Sequence, residues 1–237
     1  MEQSNYIYFN PCKLLDPLTE NWTTIRDEFT AVVRKEATLA PPPSQGVKMG
    51  TKANYLTDLT GEPLYVGDFK AMPVLLKEDF VDRHEAKSMG WENWKQPGGD
   101  KVKFREDRLR AMPFMQNWIW RNIDVLGAVT FNIALSGSKL NHHWGLVDDH
   151  LRFHLVLKQA SGAVFDIENE RHEWVDGELF GFDDCNVFHG TKHTGAEPRI
   201  IMLVDILKSA VEPYAKTWPV RVNIPRSQRT IPTILDW

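Results

Sequence analysis

Two patterns of apolar residues divide the chain. In the stretch DPLTENWTTIRDEFTAVVRKEA, Leu18, Trp22, Ile25, Phe29, Val32 and Val33 return every three or four residues, the step of one helix face. Asp16 ahead of Pro17 predicts the cap of that helix, and PPPSQG at 41–46 its end, because proline cannot continue a helix and biases its predecessor toward extended geometry. From there to about residue 120 the text is mixed and rich in Trp, Gly and Pro, and it predicts only a helix near 77–89. Beyond IWRNID the period changes. GAVTFNIAL, LRFHLVLK, GAVFDIE, RHEWV, ELFGFD, NVFHGTKH and RIIMLVDIL are short, rich in β-branched and aromatic residues, and separated by Gly, Asn or Asp turns.

About seven such strands without intervening helices predict a mainly β fold with flanking helices. The expected architecture is an antiparallel sandwich, a double-stranded β-helix or jelly roll of cupin type, with the leading helix packed on one sheet. No flexible linker interrupts the text, so residues 1–237 read as a single domain. Within it, 1–120 form a helical and irregular part that shapes the site, 121–210 the jelly-roll core, and 211–237 a C-terminal extension.

Composition narrows the function. The 237 residues are 42% hydrophobic and 25% charged, with a net charge of −4 and no run of Lys or Arg, which argues against nucleic acid and against an anionic membrane surface as partners. The first residues lack the basic and apolar regions of a secretory signal, and no apolar run is long enough to span a bilayer, so the expectation is a cytoplasmic protein. The 2 cysteines, Cys12 and Cys185, form no C-x-x-C pair; any metal would be held by nitrogen and oxygen.

The candidate chemistry starts in HHWGLVDDHLRFHL, where four of the 8 histidines fall within fourteen positions. Alternation along LRFHLVL puts Arg152 and His154 on one face and Leu151, Phe153 and Leu155 on the other. Arginine and histidine on the inner face of a barrel need an anion or a buried carboxylate, whereas on an edge strand they would simply face solvent. Downstream, FDDCNVFHGTKHTGAEPR adds His189, and Arg199 opens the next apolar strand. Two imidazoles suit Fe(II) with coordination positions left open, and fork-shaped guanidinium groups suit carboxylates.

The ordered set of HWG, LRFHLVL, FDD, a second histidine, and an arginine ten residues after it resembles the aspartyl/asparaginyl β-hydroxylase family of Fe(II)/2-oxoglutarate dioxygenases. NWTTIRDE is similar to that family's opening helix. The resemblance implies that His143 and His189 ligate iron and that Arg199 binds the distal carboxylate of 2-oxoglutarate. It also implies that Asn132 stands where a small polar residue, usually serine, faces the same cosubstrate, and that Arg152 and His154 line its pocket. His142, His150 and His193 match nothing invariant and read as surface residues or as neighbours of the ligands.

Many enzymes of this type complete the metal site with an acid two residues after the first histidine, but here that residue is Gly145. Water or another carboxylate must then fill the position. Asp148 and Asp149 read as a solvated turn; Asp183 and Asp184 read as turn formers or, at most, as carboxylates that orient a ligating imidazole. The implied activity uses Fe(II), 2-oxoglutarate and O2 to hydroxylate an unactivated C–H bond in an amino acid, peptide side chain or small metabolite, with succinate and CO2 as coproducts. Two alternatives stay open: a halogenase that uses the position left by Gly145, and a jelly-roll binding module without turnover. Trp91, Trp94, Arg105 and Arg108 could line a specificity pocket or sit in the core.

Overall fold

A computed structural model describes residues 6–9, 12–39, 65–77, 102–104, 106–145 and 149–211. The expected helix near 77–89 lies outside the described residues except for Lys77, which is in a strand; Trp91, Trp94, Arg105 and Asp148 and the extension beyond 211 also lie outside them.

The leading apolar stripe forms two helices, α1 (Asp16–Glu20) and α2 (Trp22–Leu39), with Asn21 between them. The expected cap is not Asp16. Leu15 occupies the cap position and no side chain bonds the free N–H groups there; Asp16 instead places its charge in the first turn, where the helix dipole favours an anion. Val33, expected in the buried stripe, is 36% exposed. Two further helices, α3 (Glu106–Leu109) and α4 (Pro113–Asn122), precede the main β region, and a short α5 (Lys208–Val211) follows it. Glu28 of α2 stands in for a cap on α4, accepting the Phe114 and Met115 N–H groups at 2.8 and 3.3 Å.

Twelve strands are described: β1 (Tyr8–Phe9), β2 (Tyr65–Val66), β3 (Phe69–Lys77), β4 (Val102–Phe104), β5 (Leu126–Ala134), β6 (Ser138–His143), β7 (His150–Lys158), β8 (Ala163–Ile167), β9 (Glu170–Glu173), β10 (Leu179–Phe182), β11 (His189–His193) and β12 (Arg199–Leu207). They make two antiparallel sheets, ordered β1-β10-β7-β12-β5-β3-β4 and β2-β6-β11-β8-β9. From β5 on, consecutive strands interleave as β5-β12-β7-β10 in one sheet and β6-β11-β8-β9 in the other, which is the eight-strand order of a jelly roll. Of the eight, the strand missing from the sequence reading is β6, and β1–β4 ahead of them were not read as strands either. The text of β6, SKLNHH, is polar but for Leu140 and shows no apolar alternation.

Alternation sorts the large sheet into two faces. Leu151, Phe153, Leu155 and Leu157 of β7 join Met202, Val204 and Ile206 of β12 in a core shared with Leu18, Ile25, Phe29 and Val32 of the helices. Phe29 stacks on Phe131 of β5 at 4.7 Å between ring centroids. Gly181 of β10 is required here, because a Cβ would fall on the ring of Phe153 in the neighbouring strand. The opposite face meets the small sheet through Val156, Phe165, Ile167, Phe180, Phe182 and Ile201. Arg152 and His154 share this inner side, and they prepare the site.

Candidate metal centre

β6 and β11 lie side by side, and their register pairs His143 directly with His189. This pairing brings two imidazoles far apart in sequence to a ring separation of 4.4 Å. Each ring is aimed by the same device: His143 Nδ1 bonds the carbonyl of Asn141 at 2.9 Å, and His189 Nδ1 bonds that of Val187 at 3.0 Å. A backbone carbonyl only accepts, so Nδ1 carries the hydrogen in both rings and Nε2 presents its lone pair inward in the neutral tautomer.

The third member is Asp184, in the turn after β10. Its carboxylate and the two imidazoles each offer one ligand atom, all within 4.8 Å of one another. His189 Nε2 faces Asp184 Oδ1 at 3.2 Å. Two electron-rich atoms at that distance need a cation between them, a proton or a metal ion. The donor set of two neutral nitrogens and one carboxylate oxygen fits a divalent first-row metal. Asp183, its neighbour, goes elsewhere: it accepts from Asn186 at 2.9 Å and pairs with Lys208 at 2.9 Å, forming the turn. The two acids of FDD thus divide their work, one building the bend and the other facing the imidazoles.

Asp184 also explains Gly145. A Cβ at position 145 would fall on the Asp184 carboxylate oxygen, and the Gly145 N–H donates to the Asp184 carbonyl at 2.7 Å. The carboxylate of Asp184, from the turn after β10, thus occupies the space a side chain at 145 would have used.

Arg152, half-buried, lies beside this acid and is gripped by two carboxylates. Nη1 donates to Asp184 Oδ1 at 2.7 Å, while Nε and Nη2 donate to Asp205 at 2.9 and 3.1 Å. Asp205 lies opposite Arg152 in the β12–β7 register. The nearest role the geometry gives Arg152 is to orient Asp184. Burial alone would raise the Asp184 carboxyl, but Arg152, and after it His189 and His143, outweigh that effect and hold it well below the usual carboxylate range. Asp205 is raised by its burial, against the pull of Arg152. Burial, followed by repulsion from His189, lowers His143 to about 3, so its imidazole is neutral and available as a ligand near pH 7.

Farther along the inner face stand His154, Asn132 and Arg199. His154 is enclosed by Phe165, Phe180 and Phe182 with ring centroids 5.1–5.5 Å away, and burial, with Arg152 and Arg199 nearby, holds it neutral. Arg199 is 3% exposed, and burial pulls its guanidinium down to about 9. Among the described residues, Asn132 Oδ1, His154 Nδ1, and Nε and Nη1 of Arg199 have no hydrogen-bond partner. Unpaired buried polar atoms are costly, so this group marks a binding region.

His142, His150 and His193 are buried rather than on the surface. His142 projects from the other side of the small sheet, 4.0 Å from Asp166, which Arg171 clamps at 2.7 and 3.0 Å. Its burial lowers it to about 4. His150 bonds Asp149, and His193 bonds the carbonyl of Glu197 at 2.6 Å. Arg108 donates to the carbonyl of Pro73 at 3.1 Å, tying α3 to β3. Both cysteines are buried and free.

The strand order and inner faces define a jelly-roll protein carrying a two-histidine, one-carboxylate group. The chain belongs to the aspartyl/asparaginyl beta-hydroxylase family, which it matches over residues 19–209. Human aspartate beta-hydroxylase domain-containing protein 2 is 28% identical over 86 residues, 35% of this chain and 23% of that protein. Mouse aspartate beta-hydroxylase domain-containing protein 1 is 27% identical over 100 residues, 41% of this chain and 27% of that protein. The aligned region thus spans about a quarter of these curated relatives. Among solved structures, a 2OG-Fe(II) oxygenase family oxidoreductase from Burkholderia pseudomallei aligns with a TM-score of 0.38 and 14% identity over 62% of this chain and 72% of that one. The cupin domain of Schizosaccharomyces pombe Cnp3 aligns with a TM-score of 0.31 and 8% identity, over 38% of this chain and 61% of that one. No described helix is long and apolar enough to cross a membrane.

Proposed function

We propose that this chain is an Fe(II)- and 2-oxoglutarate-dependent hydroxylase acting on an unactivated C–H bond of an amino acid, peptide side chain or small metabolite. The observation that carries this reading is the convergence of His143, His189 and Asp184, with ligand atoms within 4.8 Å of one another inside a jelly roll. His143 and His189 would hold iron through Nε2, and Asp184 would ligate it or bind a water on it. Bound there with 2-oxoglutarate and O2, iron supplies the oxidant that converts C–H to C–OH while the cosubstrate becomes succinate and CO2.

The chain's own part is positioning. Arg152 keeps Asp184 ionised and aimed, and the carbonyls of Asn141 and Val187 fix both imidazole tautomers. Arg199 offers a buried cation to the far carboxylate of the cosubstrate, with Asn132 and His154 lining the approach. Phe165, Phe180 and Phe182 keep the region dry, which strengthens each of these polar contacts. The Asp184 carboxylate beside Gly145 weighs against halogenation, since it sets a negative charge in the space a halide would need. The unpaired donors of Arg199 weigh against an inert module, because a buried cation without an anion is costly.

The test is succinate formation from 2-oxoglutarate with Fe(II) and O2, stimulated by candidate amino acids and peptides. The reading expects this activity in the native chain and its loss in His189→Ala. A native protein that binds no divalent metal overturns it, and a chlorinated product in the presence of chloride replaces it with the halogenase.

A further inference from the structure

Trp174 follows β9 and is 4% exposed. The Arg199 guanidinium carbon lies over its indole at 4.4 Å from the ring centroid. Arg199 opens β12 in the large sheet and Trp174 leaves the edge of the small one, so the contact bridges the two sheets. Trp174 Nε1, like Nε and Nη1 of Arg199, has no acceptor among the described residues.

The geometry separates two functions of one cation. Stacking uses the flat face of a guanidinium and leaves its in-plane N–H groups free to donate. Indole N–H and guanidinium N–H are donors only, so two such groups buried side by side call for a ligand made of acceptors, an anion with more than one oxygen. Phe165 links this pair to the proposed metal site, its ring 5.8 Å from Trp174 and 5.9 Å from His189. The anion would therefore lie one aromatic ring's breadth from the metal ligands.

We propose that Trp174 is the specificity-determining residue for the cosubstrate: its indole holds Arg199 face-on, and its Nε1–H joins the guanidinium edge in binding the second carboxylate of a keto diacid. The pair would select dicarboxylates over keto acids with one carboxylate. This rests on the reading above that the site takes 2-oxoglutarate.

The experiment is calorimetric titration of the full chain loaded with Mn(II), which binds like iron without turning over, using 2-oxoglutarate and 2-oxopentanoate. The second ligand keeps the keto acid end and carries a methyl in place of the far carboxylate. The native chain should bind 2-oxoglutarate much the more tightly. Trp174→Phe keeps an aromatic face but loses the N–H and the indole's second ring, and should weaken 2-oxoglutarate binding about tenfold; Trp174→Leu loses the aromatic face as well and should weaken it roughly a hundredfold. Neither change should move 2-oxopentanoate affinity by more than about twofold. In turnover with iron, KM for 2-oxoglutarate should rise while kcat holds, since the contact is uniform across the reaction.

Unaltered 2-oxoglutarate binding in Trp174→Leu, or equal weakening of both ligands, overturns the role of Trp174 and leaves the hydroxylase reading standing. A native Mn(II)-loaded chain that binds no 2-oxoglutarate overturns that reading and the role of Trp174 with it. Trp174→Phe guards against misfolding, because it keeps an aromatic ring beside Phe165.

Discussion

Strand β7 divides the molecule into two unlike regions. Toward the helices it sends Leu151, Phe153, Leu155 and Leu157 into a core of side chains that are apolar and closely stacked. Toward the small sheet it sends Arg152 and His154 into a space with unpaired donors, opposed charges and three phenylalanine rings. The apolar side is fully enclosed while Arg152 on the other is only half-buried, and the consequence of burial differs between them. Burying apolar area on the helix side stabilises the fold, by roughly 1.5–3 kcal/mol for each large side chain. Burying charge on the inner side stabilises nothing by itself, and the proposed binding of a metal and a dicarboxylate would account for its presence. On that reading, stability and function are placed on opposite faces of one sheet.

The largest effect should come from His143→Ala or His189→Ala. Each should reduce metal-dependent succinate formation on the order of a thousandfold or more, about 4 kcal/mol. The melting temperature of the metal-free protein should hold or rise, because each change removes a buried imidazole. Unfolding of either variant would break the division between the faces.

Phe153→Ala tests the opposite side. The lost ring leaves a cavity above Gly181 and should cost about 3–5 kcal/mol in urea titration, while metal affinity per folded molecule stays the same. A large loss of affinity without a loss of stability would show the two faces to be coupled.

Asp184→Asn is smaller and sharper. The amide preserves shape but removes the charge between Arg152 and the imidazoles, and metal affinity should fall about 10- to 100-fold by equilibrium dialysis. Arg152 retains Asp205, so the fold should persist. Native affinity in this variant would remove Asp184 from the site.

The most gradual effect is a pH dependence. Burial lowers His142 to about 4 and His143 to about 3, against about 6.5 for an unfolded histidine. Below pH 6.5 the unfolded chain takes up protons that the folded chain refuses. Stability is therefore full above that pH and falls by up to about 1.4 kcal/mol per unit for each residue as pH drops toward 4 and 3. Urea titrations of the metal-free protein across this range should show that slope, and saturating Mn(II) should add stability at pH 6.5 that fades as protons displace it. A flat profile would mean that the histidines are not shielded from solvent.

The sequence reading succeeded where periodicity is local. The helix stripe and seven of the eight jelly-roll strands follow from residues spaced by three, four or two. It failed at β6, where SKLNHH carries Leu140 as its one apolar residue and so offers no alternating hydrophobic face. β3 was hidden by Pro73, which lacks an amide donor and stands where the register with β5 shifts. The order along the chain singled out His143, His189, Asn132, Arg152, His154 and Arg199, and the fold sets them on the inner side of the jelly roll; the roles given to them are those of the proposal. Asp205 was not legible as the partner of Arg152, because only the register of β7 and β12 brings them together. Asp184 was read at most as an orienting acid, since nothing local separates it from Asp183. Trp174 was passed over as a strand aromatic; the signal available was its place just after β9, where it could reach across to the first residue of β12.

The contact between Gly145 and Asp184 constrains how this site can change over generations. Introducing an acid at 145 while Asp184 remains would crowd two carboxylates into one volume, and shrinking Asp184 first would strip Arg152 of one of its anchors before any replacement existed. A His-x-Asp arrangement in this chain would therefore call for changes at 145 and 184 together, since the two positions draw on one volume.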